Sequence, residues 1–176
     1  MNPAKFTKSL LCSLLLIFAL SSCSKKDPDP VKNEITVDNQ TYSLLDGYII
    51  DYGAYDMHYN FDFYIGDSDY DEDKEDFVDP SMIIYIELFS PGTTEFKAGT
   101  YEFIASSNSS VDREGKHFFE FGVFATKGES ELYVEGGTVK ITKVTSEHYF
   151  EIHYDLILEN GKILKGDYRG ELTYFK

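Results

Sequence analysis

The chain has 176 residues, of which 16 are basic and 31 acidic, for a formal net charge of -15; it holds two cysteines, no tryptophan, 14 Tyr and 14 Phe. That length suits one ordinary domain, and 42% hydrophobic with 27% charged residues is a globular composition, not a disordered one. The acidic excess argues against nucleic acid, whose binding is led by Lys and Arg, and against electrostatic adhesion to an anionic lipid surface; two cysteines cannot build a disulfide scaffold.

The chain opens Met1-Asn2-Pro3-Ala4-Lys5-Phe6-Thr7-Lys8, with two lysines and no acid, and continues into an apolar run from Ser9 to Leu20. Twelve residues at about 1.5 Å rise give roughly 18 Å, short of the roughly 30 Å hydrocarbon core, so the run suits a secretory signal and not a membrane span. It ends in Leu20-Ser21-Ser22-Cys23, ahead of the polar Ser24-Lys25-Lys26-Asp27-Pro28-Asp29-Pro30.

Leu20-Ser21-Ser22-Cys23, behind a basic start and a run of this length, resembles the lipobox of bacterial lipoproteins. The resemblance implies cleavage before Cys23, a diacylglycerol on its sulfur and usually an acylated amino terminus. Two or more acyl chains hold a protein stably on a membrane, where one holds it marginally. Residues 1–22 carry Lys5 and Lys8 and no acid, so the processed chain has 14 basic and 31 acidic residues, a net charge two units beyond the -15 of the precursor. Cys12 leaves with the signal and Cys23 is consumed, so the folded part is expected without a free thiol, which excludes thiol catalysis, disulfides and Cys-ligated zinc. Residues 23–33 read as a tether stiffened by Asp-Pro-Asp-Pro. This segment resembles the short Lys/Asp-rich tails of Bacteroidota lipoproteins, which implies export and anchoring to the outer membrane, with display on the cell surface as one of two orientations.

From Glu34 to Lys176 the apolar residues repeat with period two and are interrupted every eight to fourteen residues by turn residues. Strands are expected at 34–37, 40–45, 48–52, 57–65, 82–89, 100–104, 117–126, 130–134, 138–145, 149–158 and 163–174. Met57, Tyr59, Phe61, Phe63 and Ile65 form one expected core face, alternating with His58, Asn60, Asp62 and Tyr64. Phe119, Phe121, Val123 and Ala125 form a second, and Phe150, Ile152, Tyr154, Leu156 and Leu158 a third. Met82 to Phe89 is apolar on both faces except Glu87, which predicts a central strand. Asp46-Gly47 and Asn160-Gly161 are expected hairpin centres; Ser90-Pro91-Gly92, Lys127-Gly128 and Gly136-Gly137 are expected turns. The fold class is all-β: one antiparallel β-sandwich or an up-and-down, lipocalin-like barrel of about 8–11 strands behind an N-terminal signal helix. Phe96 to Tyr101, Gly136 to Ile141, and Asn160-Gly161-Lys162 leading to Gly166-Asp167-Tyr168-Arg169-Gly170 resemble the closing strands of small all-β Bacteroidota lipoproteins. That likeness rests on turn glycines and strand aromatics and implies no catalytic residue.

The densest polar feature is Asp67-Ser68-Asp69-Tyr70-Asp71-Glu72-Asp73-Lys74-Glu75-Asp76. Alternate acids at Asp67, Asp69, Asp71 and Asp73 suit a hard cation such as Ca2+, which takes several oxygen ligands. The EF-hand pattern fails, because Glu72 stands where Gly is required and Val78 where Glu is required, so a solvated loop is the competing reading. Glu151, His153 and Asp155 share one strand face and could ligate zinc or transfer protons under a closed cleft; a water-facing strand needs no such role. His58 and Asp62 form a similar pair. No G-x-S-x-G elbow, phosphate-cradling glycine loop or H-E-x-x-H is present, so no catalytic residue and no cofactor is assigned. Tyr42, Tyr48, Tyr52, Tyr55, Tyr59, Tyr64 and Tyr70 crowd the first half, as a glycan- or protein-binding patch or as packing. The expectation is a non-enzymatic, lipid-anchored envelope module whose partners are the membrane at Cys23 and a glycan, protein or small apolar ligand. The alternatives are an assembly subunit of the envelope and a carboxylate- or metal-dependent hydrolase.

Overall fold

The computed structural model describes residues 31–143 and 148–176. The expected signal segment, Cys23 and most of the tether lie outside the described residues. Eleven strands form one curled sheet: β1 (Glu34–Val37), β2 (Gln40–Ser43), β3 (Asp46–Tyr55), β4 (His58–Gly66), β7 (Met82–Pro91), β8 (Gly99–Phe103), β9 (Phe118–Thr126), β10 (Leu132–Lys143), β11 (Tyr149–Leu158), β12 (Ile163–Glu171) and β13 (Thr173–Phe175). Two short strands, β5 (Tyr70–Asp71) and β6 (Asp76–Phe77), pair separately. The sheet order is β13-β3-β4-β7-β9-β8-β10-β11-β12-β1-β2.

Curling follows from chain connectivity. Strands β12 and β13 are separated by Leu172 alone, yet β13 lies at the far end of the sheet, parallel to β3. Leu172 N–H still donates to the His148 carbonyl (2.9 Å), continuing the β11–β12 ladder, and the next three residues pair with Tyr48–Ile50. The C-terminal strand thus draws the two flanks together into a half-barrel, consistent with an all-β barrel or sandwich class. The sheet is mixed, since β8 runs parallel to β9 and β13 parallel to β3.

The concave side is filled by a continuous apolar core. Phe61, Phe63 and Ile65 of β4 meet Met82, Ile84, Ile86 and Leu88 of β7 and the full expected face of β11 from Phe150 to Leu158. Tyr101, Tyr154 and Tyr168 are fully buried among them, with hydroxyl pKa values raised above the ordinary range by burial.

Four sequence expectations need correction. On β9 the core residues are Phe119, Gly122 and Phe124, while Phe121 is 41% exposed. The register slips between Glu87 and Leu88, whose partners are Phe121 and Phe119, so Glu120 is an extra residue that turns the rest of the strand over. Met57 is likewise exposed, whereas His58, Asn60 and Asp62 opposite it are buried, so β4 is covered on both sides. Asp46-Gly47 begins β3 and is no hairpin, because β2 and β3 lie near opposite ends of the sheet. The tight turn there is Asp38-Asn39, both at positive φ (48° and 69°), between β1 and β2. Gly136-Gly137 lies inside β10 at a bulge. Asn160-Gly161 does have both residues at positive φ, 63° and 71°, between β11 and β12.

Candidate functional site

The convex side of the sheet carries three rows set by strand register. Residues two apart on a strand share a face, and residues directly opposite on neighbouring strands touch. One row is Tyr48–Tyr64–Tyr85–Val123–Tyr133, running over β3, β4, β7, β9 and β10. The next is Ile50–Asp62–Glu87–Phe121. The third is Asn60–Phe89–Phe118. An acidic row therefore runs between two aromatic ones.

The tyrosines stand on edge, stacked on one another. Tyr48 and Tyr64 are 4.5 Å apart between centroids at 9°, and Tyr64 and Tyr85 are 4.5 Å apart at 23°. Tyr85 reaches Phe121 at 5.7 Å and Phe121 reaches Tyr133 at 5.8 Å, and these last two rings are 41% exposed. Burial raises the hydroxyl of Tyr64 to about 12 and those of Tyr48 and Tyr85 further, with neighbouring phenols and acids adding to it. These hydroxyls therefore remain donors at any physiological pH. On the opposite side Phe89 stacks on Phe118 (4.9 Å, 11°), and the Arg113 guanidinium covers Phe118 at 5.5 Å. Arg113 is held there by its bond to the Ala105 carbonyl (3.2 Å), its pair with Glu120 (3.4 Å) and a contact from its own carbonyl to His58 Nε2 (2.9 Å).

Asp62 and Glu87 lie directly opposite each other in the middle row. Asp62 is 4% exposed; its Oδ2 accepts a bond from the Tyr85 hydroxyl (2.8 Å), and its Oδ1 has no donor. The Asn60 amide bonds the Leu88 carbonyl (3.3 Å) and also lies near enough to the Asp62 carboxyl to favour its charged form. Burial raises the Asp62 carboxyl to about 6, against the pull of the Tyr85 hydroxyl and the Asn60 amide. Burial first, then the charges of Asp62 and Glu120, raise Glu87 to about 7. Neither acid joins an ion pair among the described residues, although Arg113 serves Glu120 at the edge of the same face.

The acidic loop after β4 is a structured flap over the tyrosine end of this surface. Phe77 is buried against Tyr48 (5.8 Å) and Tyr70 (5.5 Å). Asp67 accepts N–H bonds from Ser81 (2.8 Å) and Met82 (3.1 Å) and the Ser81 hydroxyl. Partial burial works to raise its pKa, but these bonds outweigh it and hold the carboxyl below the usual value. Asp71 accepts from the Asp73 and Lys74 N–H groups and pairs with the Lys74 ammonium. Asp69 and Asp73 are exposed. Two of the four acids are thus engaged with their own turn, and among the described residues no three His, Cys, Asp or Glu groups converge to hold a metal ion.

Glu151, His153 and Asp155 share the outer face of β11 as expected, and each is paired across to β12. Glu151 meets Arg169 (3.1 Å), His153 Nδ1 meets Asp167 (2.8 Å) and Asp155 meets Lys165 (3.1 Å), each at its register partner. His58 lies under Arg113, four residues from Asp62 on the same face of β4, and its ring packs edge-on to Phe118. A separate cleft of about 280 Å³ lies between Thr94, Phe96, His148 and Tyr174, over Asp51, whose Oδ2 accepts the Tyr59 and Tyr174 hydroxyls.

Sequence reasoning included Tyr48, Tyr64 and Tyr70 among its aromatic candidates and missed Tyr85, Glu87, Phe121 and Tyr133 as parts of a site. The one available signal was Glu87, the sole charge in an otherwise apolar central strand. Compared with protein-family models, with curated proteins and with solved structures, the chain matches none.

Proposed function

We propose that this protein is a lipid-anchored module of the cell envelope that binds a glycan on the convex face of its sheet. The observation that carries the reading is the in-register acidic row between aromatic rows. A sugar is a ligand of alternating character: its hydroxyls donate to carboxylates and accept from phenols, and its C–H edges pack on rings. Asp62 and Glu87 supply acceptors, the edge-on Tyr48, Tyr64 and Tyr85 supply donors, and Phe121 and Tyr133 supply open ring surface. A small apolar ligand is less well served, because the concave side is occupied by core side chains. A hydrolase is less well served too, because Asp62 and Glu87 lie on one sheet face with no enclosing cleft to close over a substrate bond. An assembly subunit would use the strand edge of β2, which ends the sheet and is four residues long.

The anchor rests on Leu20-Ser21-Ser22-Cys23. Fatty-acid labelling of cells expressing the wild type and Cys23→Ala tests it: label on the wild type alone supports the anchor, and equal labelling removes it. Glycan binding is tested on full-length protein in detergent by affinity electrophoresis in gels containing envelope polysaccharides. Retardation that Phe121→Ala and Tyr133→Ala weaken supports the reading, and unretarded wild type across the set overturns it.

A further inference from the structure

We propose that the Asp62–Glu87 pair receives a protonated amine, so that the glycan this face prefers contains amino sugars with free ammonium groups. This rests on the glycan reading above and names the class of sugar. Two acids directly opposite each other on adjacent strands repel, and sheets ordinarily place a cation in such a position. The protein has the cations available and uses them elsewhere: Arg113 pairs with Glu120, Lys165 with Asp155, Arg169 with Glu151 and Lys127 with Asp79. Asp62 and Glu87 are left without one.

The second observation is Asp62 Oδ1, an acceptor inside a residue 4% exposed that receives no well-formed hydrogen bond, its one neighbouring donor being the Asn60 amide already bonded to the Leu88 carbonyl. A buried acceptor without a donor is costly and rare in a finished site, and a ligand donor would satisfy it. An ammonium brings three donors on one centre, enough for Asp62 Oδ1 and both Glu87 oxygens. Glu87 is half-buried and gives the way in; Asp62 is the deeper contact. Phe121, at the end of the row and 41% exposed, is the ring whose open face can further stabilise an organic cation. A bare metal ion is a poorer fit, since no third carboxyl or imidazole converges there among the described residues.

Binding should also expel protons. The groups facing the pair are Tyr48 from β3, Tyr64 from β4, Tyr85 from β7, and Glu120 with its partner Arg113 from β9 and the loop before it. Burial keeps the Tyr48, Tyr64 and Tyr85 phenols neutral and Glu120 pairs with Arg113, so Asp62 and Glu87 are the groups whose protons an arriving ammonium displaces.

The test is calorimetry on full-length protein in detergent at pH 7, with three tetrasaccharides of one linkage: glucosamine, N-acetylglucosamine and glucose. The expected result is binding of the glucosamine tetramer about tenfold or more tighter than the other two, as charge-assisted hydrogen bonds allow, with heat that depends on the buffer because protons are released. Glu87→Gln should erase that preference and the buffer dependence, so that the glucosamine tetramer binds no tighter than the other two; Asp62→Asn should do the same, and Glu87→Gln alone decides if the deeper variant fails to fold. Equal affinity for all three sugars overturns the amine inference and leaves the glycan reading standing. No binding of any of the three overturns the amine inference, and the glycan reading falls with it only if the wild type is also unretarded by every envelope polysaccharide. A preference that survives Glu87→Gln reports general attraction of a cation to an acidic protein and also overturns the inference.

Discussion

Tyr64 and Tyr85 stack face to face on the convex side of the sheet, with centroids 4.5 Å apart, while the backbone between them pairs Tyr64 with Tyr85 in exact-opposite register on β4 and β7. The contact joins packing to the site, since Tyr85 also donates its hydroxyl to Asp62. Tyr48 extends the stack on one side and Phe121 on the other, so Tyr64 is an interior rung.

Removing that rung should cost both stability and binding. Tyr64→Ala forfeits two stacked contacts, each worth about 0.5–1.5 kcal/mol beyond area burial, so a loss of more than about 1–3 kcal/mol is expected in urea unfolding once the buried ring area is added. Tyr64→Phe keeps the stack and should stay within about 1 kcal/mol of wild type. Equal losses from both variants would place the contribution in the hydroxyl and not in the stack.

The acid pair sets a pH dependence of definite sign. Asp62 and Glu87 have folded-state pKa values of about 6 and about 7, above their ordinary values of 3.8 and 4.5. The folded state therefore holds more protons than the unfolded state between about pH 4 and pH 7. The contribution is fully present below the unfolded pKa values and is lost as pH rises through the folded ones. Stability should fall from pH 5 to pH 8, and the double variant Asp62→Asn with Glu87→Gln should be more stable than wild type at pH 8 with a flatter profile across that range. Chemical denaturation at four pH values measures it; a double variant weaker than wild type at pH 8 would contradict the sign.

Much of this fold was legible in the sequence because alternation and turn chemistry are local. β11 is the clearest case: its five inward residues, its partner strand and the Asn160-Gly161 turn all lie within one stretch of chain. The convex site was not legible, for two physical reasons. Its rows are assembled from β3, β4, β7, β9 and β10, so only sheet order brings Tyr48, Tyr85 and Tyr133 into one line. The extra residue at Glu120 then inverts β9, and a period-two pattern carries no mark of a bulge, so Phe121 reads as core when it faces outward. Asp46-Gly47 misled for a related reason: the dipeptide favours a hairpin, but β3 pairs with β4, and Gly47 is needed there because a Cβ would lie 2.3 Å from the Tyr64 carbonyl oxygen.

Asp67 should act as the clasp of the flap. Its carboxylate gathers Ser81 and Met82 at the point where the flap returns to β7. Asp67→Ala leaves those N–H groups to water and should cost about 1–3 kcal/mol, whereas the exposed Asp69→Ala and Asp73→Ala should cost under about 0.5 kcal/mol. Because the Asp67 pKa is lowered, its contribution is present above the unfolded value and is lost as pH falls through the folded one. Calcium in place of chelator should leave the wild-type Tm unchanged, since Asp67 and Asp71 already accept bonds from their own turn; a calcium-dependent rise that Asp67→Ala abolishes would restore the loop as a cation site.

The β11–β12 ladder should behave as a solvated charge pattern. Glu151, His153 and Asp155 each face a basic or acidic partner across the strand pair, and these side chains are about one-third to three-fifths exposed. Exposed pairs contribute about 0–1 kcal/mol, so each single alanine variant should fall within about 0.5 kcal/mol of wild type at low salt and closer still at high salt. Zinc should leave the melting profile unchanged; a zinc-induced rise lost in His153→Ala would give this face the ligand role its spacing suggests.

Gly136 and Gly137 are neighbours in β10 with opposite tolerance for a side chain. Gly137 has φ 100°, and a Cβ there would stand 2.2 Å from the Asp155 carbonyl oxygen and 2.7 Å from Leu156 Cα, both backbone atoms that cannot move aside. Gly136 has its nearest neighbour, Ile157 Cδ1, at 3.4 Å, an ordinary contact on the outer face. Gly137→Ala combines left-handed strain with a clash in the β10–β11 ladder and should cost at least about 2 kcal/mol. Gly136→Ala should be neutral or stabilise by about 0.4–1 kcal/mol, because it narrows the unfolded ensemble at no folded-state cost. Paired thermal melts measure the difference, and comparable losses in the two variants would mean that the bulge is not pinned by Gly137.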